Sequence, residues 1–86
     1  MSEGLDLMEL AKRLLDDSTP FSLVRYIFKV QGSGWNRLDF PEAADALGID
    51  KHTVSRCVKR LGDMDVLLFH DRELKINDSF LIGASA

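Results

Sequence analysis

The stretch from Asp39 to Leu61 leaves this chain few ways to fold. Asp39-Phe40-Pro41-Glu42 reads as a helix start, with an acid at the cap, glutamate three residues on, and a proline whose missing N–H falls where the first turn would leave one unpaired anyway. Ala43, Ala44, Ala46 and Leu47 continue a slim helix, Gly48 ends it in a left-handed conformation, and Asp50 caps the next. That second helix, Lys51 to about Gly62, sorts its chemistry by face. Val54, Cys57, Val58 and Leu61 recur at core spacing, while Lys51, His52, Ser55, Arg56, Lys59 and Arg60 point elsewhere.

Two helices joined by a three-residue turn, with a small residue at position 44 to permit a close crossing, satisfy the requirements of a helix-turn-helix. Ile49 and Val54 are expected to fill the crease between the helices. Downstream, Val66-Leu67-Leu68-Phe69 and Leu74-Lys75-Ile76 flank His70-Asp71-Arg72-Glu73 as two antiparallel strands around a tight turn would. Upstream, Ser18-Thr19-Pro20 opens a helix running through Val30 that is apolar around most of its circumference. Gln31 to Gly34 is a loop by composition, in which Gly32→Ala is expected to cost little, and Trp35 to Leu38 alternates as a short strand does. Trp35 and Tyr26 are assigned to the core.

The remaining segments are the ends. Gly4 to Asp16 carries a stripe of Leu7, Leu10 and Leu14 at helical spacing, and a helix there is surplus to the element order that follows it. The stripe is therefore assigned to the contact of a homodimer. Folding back onto its own domain is the competing arrangement, because a small domain benefits from extra cover. Three parts follow: an N-terminal helix over 1–19, a winged helix-turn-helix domain over 20–77, and a tail over 78–86 expected to be partly disordered. The fold class is mainly α with a small β-hairpin, an α+β winged helix-turn-helix with an extra N-terminal helix.

Charge decides which partners are plausible. The chain of 86 residues has 11 Lys and Arg against 14 Asp and Glu, a net charge of −3, which on its face disfavours nucleic acid. The distribution reverses that. Residues 21–60 hold seven bases against four acids, and the ten positions 51–60 hold Lys51, Arg56, Lys59 and Arg60 with no acid. One cysteine and two histidines cannot assemble a disulfide framework or a cysteine/histidine zinc cluster within the chain, so no metal or cofactor is expected. Cys57 falls on the inward stripe as a small core residue, and His70 beside Asp71 has no nucleophile to serve. A core, a substrate pocket and a lid can hardly coexist at this size, so the expected role is binding rather than catalysis. Neither a signal peptide nor a membrane span is evident, and a cytoplasmic, nucleoid-associated location is expected.

The run Ala44-Asp-Ala-Leu-Gly48-Ile-Asp-Lys-His-Thr53-Val-Ser-Arg56-Cys-Val-Lys59-Arg-Leu61 resembles the DNA-binding domain of the cyclic-AMP-receptor/fumarate-nitrate regulator group, over roughly Leu38 to Ile76. The resemblance implies base reading from Lys51, His52 and Arg56 and phosphate contact near Thr53, Ser55 and Lys59. The family usually has an acid where this chain has His52, and its cyclic-nucleotide barrel has no counterpart here. Residue chemistry agrees: an arginine at 56 suits bidentate contact with guanine, Lys59 and Arg60 suit backbone phosphates, and Arg72 in the hairpin turn is a further phosphate contact. The expectation is a sequence-specific double-stranded DNA-binding protein, a bacterial, phage or plasmid transcriptional regulator, acting as a homodimer because one small module covers too little DNA. The alternatives are a winged helix that binds a protein partner, or an accessory DNA-binding protein for plasmid partition, conjugation or replication.

Overall fold

The computed structural model describes residues 4–14 and 18–82. A two-residue strand, β1 (Gly4–Leu5), leads into α1 (Leu7–Leu14), followed by α2 (Ser18–Gln31), α3 (Phe40–Leu47) and α4 (Lys51–Asp63). The strands β2 (Leu67–His70) and β3 (Glu73–Ile76), a 3-10 turn (Asp78–Phe80) and β4 (Leu81–Ile82) complete the order. The architecture is mainly helical with a small antiparallel hairpin, and no described helix is long and apolar enough to cross a membrane.

Capping chemistry sets the limits of α3 and α4. The Asp39 carboxylate accepts a hydrogen bond from the Glu42 N–H at 3.0 Å, and the Asp50 carboxylate accepts one from the His52 N–H at 3.0 Å. Between them Gly48 takes φ 67°, ψ 32°, a left-handed conformation that frees the Ile49 N–H to donate to the Ala44 carbonyl at 2.9 Å. Ala43 and Ala44 are buried where α3 meets its neighbours, and Val54, Cys57, Val58 and Leu61 are the buried face of α4.

β2 and β3 pair antiparallel with Leu67 opposite Ile76 and His70 opposite Glu73, leaving Asp71 and Arg72 as a two-residue loop. Both loop residues have positive φ, 52° and 67°, the requirement of the turn whose twist matches that of the strands. Leu67, Leu74 and Ile76 close the core from this side. The expected strand over Trp35 to Leu38 reduces to a single bridge. Asn36 and Leu74 exchange two backbone hydrogen bonds of 3.1 and 2.8 Å on the outer edge of β3.

The two ends differ from expectation. α1 starts at Leu7 rather than Gly4 because Gly4 and Leu5 pair with Ile82 and Leu81, and Asp6 caps the helix by accepting from the Glu9 N–H. Leu10 and Leu14 are 0% and 3% exposed in the single chain, packed in one core with α2, α4, the hairpin and Phe80. They are not available as a dimer contact; only Leu7, 47% exposed, stays outside. An amphipathic helix buries its stripe against the nearest apolar surface, and here that surface belongs to its own chain.

The described part of the tail expected to be partly disordered, residues 78–82, forms a 3-10 turn and the strand β4. Asn77 caps the 3-10 turn and donates from its side-chain amide to the Asp65 carbonyl, while Phe80 and Leu81 are buried and the Phe80 carbonyl accepts from the Asp6 N–H at 2.8 Å. The expected division at 1–19, 20–77 and 78–86 therefore does not separate the core, which draws on both ends. Expectations for residues 1–3, 15–17 and 83–86 lie outside the described residues. Two smaller corrections concern the loop before α3. Trp35 is 42% exposed rather than core, and Gly32 takes φ 68°, so a side chain there is strained where little cost was expected.

Candidate nucleic-acid interface

α4 is held from beneath and open above. Its buried stripe fixes the rotation of the helix, which leaves Lys51, His52, Ser55, Arg56, Lys59 and Arg60 exposed and Thr53 half-buried. The Arg56 guanidinium donates to the Thr53 hydroxyl at 3.4 Å, one helical turn back, which restrains its stem while leaving most of its donors outward. Among the described residues Lys51 and Lys59 form no ion pair. Lys51 and Lys59 thus keep their charge unpaired, while the Asp50 carboxylate caps the N-terminus of α4 and the exposed Asp63 ends the helix one turn beyond Lys59.

The hairpin follows directly on α4 and is locked to it at Gly62, whose Cα lies against the ring of Phe69. Arg72 occupies the tip in a left-handed conformation that an arginine rarely adopts. On the opposite side of the hairpin from Phe69, the Lys75 ammonium lies 5.8 Å from the centre of the Trp35 ring, and the His70 ring meets Trp35 edge-on at 6.0 Å. His70 and Asp71 are 3.9 Å apart and both largely exposed. Phe69 is 51% exposed. The contacts of Trp35 were not anticipated, because it looks like core by residue type and the bridge at Asn36 sets it beside Lys75 and His70 on the outside of the hairpin.

A second surface also escaped the reading of motifs. A groove of about 720 Å³ runs between α2 and α3, with Arg25 and Lys29 on the α2 side and Glu42 and Asp45 on the α3 side. It continues past Tyr26, Val30 and Glu42 into a smaller hollow of about 180 Å³ beside Asn36 to Asp39. The Tyr26 phenol is held above its ordinary pKa by partial burial first, then by the negative charges of Glu42 and Asp39. A sequence signal existed: the acids at 42 and 45 and the bases at 25 and 29 are each spaced by three or four residues, on one ridge of a helix.

No group of three or more His, Cys, Asp or Glu among the described residues is placed to hold a metal ion. Comparison with known protein families, with curated proteins and with solved structures finds no match for this chain.

Proposed function

We propose that this chain is a winged helix-turn-helix protein that binds double-stranded DNA sequence-specifically, with α4 in the major groove and the hairpin as the wing. The observation that carries the reading is the run from Lys51 to Arg60 on α4, ten positions without an acid before Asp63 ends the helix, from which Lys51, His52, Arg56, Lys59 and Arg60 project to solvent. An α-helix fits the major groove, and a helix whose underside is packed presents its outer side chains to base edges in a fixed orientation. Arg56 suits guanine, Lys51 and His52 reach from the first turn, and Thr53, Ser55, Lys59 and Arg60 suit the flanking phosphates. Arg72 adds a contact from the hairpin tip. Its positive φ, which glycine would adopt without strain, is shared with Asp71 and is what the two-residue turn requires.

The role is that of a transcriptional regulator or of an accessory DNA-organising protein. Selection of bound duplexes from a random pool, followed by fluorescence-anisotropy titration of the recovered site and a scrambled one across a range of salt, tests the reading. Enrichment of one motif, with affinity that falls steeply with salt, supports it. Failure to bind any duplex at low salt overturns it in favour of a module that binds a protein partner.

A further inference from the structure

The groove between α2 and α3 has a charge pattern that DNA binding does not use and that no residue of α4 lines. Its apolar part includes Leu5, Tyr26, Phe28, Val30 and Leu47, with Val30 half exposed. Two bases on one wall face two acids on the other, and Arg25, Lys29, Glu42 and Asp45 form no ion pair among the described residues. We propose that this face is the contact between two copies of the chain, with α3 of each copy lowered into the groove of the other.

A two-fold contact must be complementary to itself. A symmetry axis along the groove sets α3 of one copy beside α2 of the other, so Glu42 and Asp45 meet Arg25 and Lys29 of the second copy. An axis across the groove would oppose like charges, so the charge pattern selects the arrangement as well as the partner. Ala46, exposed on the crown of α3, is small enough to let the helices approach closely. The pairing covers Tyr26 and Val30, and it neutralises acids on α3 that would otherwise repel phosphate. With Leu10 and Leu14 consumed by the core, it also supplies a dimer contact that α1 does not. It goes beyond the DNA reading and is measured without DNA.

Sedimentation equilibrium of the full chain tests it. The parent is expected to be dimeric at about 200 µM and to dissociate as salt rises. The double variants Arg25→Glu/Lys29→Glu and Glu42→Lys/Asp45→Lys should each self-associate at least about tenfold more weakly, whereas their equimolar mixture should pair about as tightly as the parent. Ala46→Arg leaves caps and core untouched, and it should dissociate the dimer by blocking the approach while circular dichroism stays unchanged. A monomeric parent, a dimer indifferent to these substitutions, or a mixture that pairs no better than its components overturns the proposal.

Discussion

The ring of Phe69 lies against the Cα of Gly62, so that a Cβ at position 62 would overlap the ring and come within 2.9 Å of its Cζ. This contact joins the hairpin to the last turns of α4, and it accounts for a residue that weakens a helix by about 1 kcal/mol relative to alanine. Gly62→Ala is therefore expected to leave the parent no more stable, because the ring must swing away. In a Phe69→Ala background the same substitution should stabilise by about 1 kcal/mol. Urea denaturation of the four proteins checks this, and equal effects in both backgrounds would show that the contact is absent.

Gly48 is the hinge of the α3–α4 turn at φ 67°. Gly48→Val is expected to lose about 2 kcal/mol or more, since a branched side chain is excluded from that region, while Gly48→Asn should keep most of the stability. Gly32→Ala should lose about 1 kcal/mol although no neighbour lies within 4 Å of the added methyl, because the strain is in the backbone itself. Thermal melts rank the three.

Leu10 and Leu14 make α1 part of the fold. Leu10→Ala or Leu14→Ala is expected to cost about 2–5 kcal/mol, and Leu10→Glu, which buries an unpaired charge, should unfold the chain. The loss should not depend on protein concentration, as the packing is within one chain. A Leu10→Glu variant with parental circular dichroism and melting temperature would place α1 outside the core.

If α4 enters the major groove, Arg56→Ala should lose about 1–3 kcal/mol on the selected site and relax preference at one base, while Lys59→Ala weakens all sequences alike. A footprint using about six phosphates should lose roughly 10³-fold in affinity between 50 and 200 mM salt. Competition titrations with the selected and scrambled duplexes separate the two roles; equal losses for both variants on both duplexes would remove the distinction.

Arg72 pairs a cost with a use. Arg72→Gly should raise stability by about 1 kcal/mol by relieving the positive φ, yet weaken DNA binding without changing sequence preference. A variant more stable and equally tight would leave the strain at Arg72 without a role in binding.

What the sequence determined by itself, from Asp39 through the hairpin, was a set of features whose cause lies within a few residues. Asp39 with Pro41, Gly48, Asp50 and the Asp71-Arg72 turn each act on backbone groups no more than one helical turn away, and each does what its type and position require. The rotation of α4, which exposes Lys51, Arg56 and Lys59, was legible for the same reason, because a 3.6-residue period assigns faces without reference to the rest of the chain. Tertiary structure decided what each apolar face meets. A leucine stripe states that α1 must be covered and is silent on whether a second copy or Phe80 does the covering, since hydrophobic burial is non-directional and rewards any apolar neighbour equally. The pairing of β1 with β4, the outward turn of Trp35 and the seat of Phe69 on Gly62 all join residues distant in sequence or set by such a join. Only the closed chain, in which these surfaces compete for the same cover, selects among them.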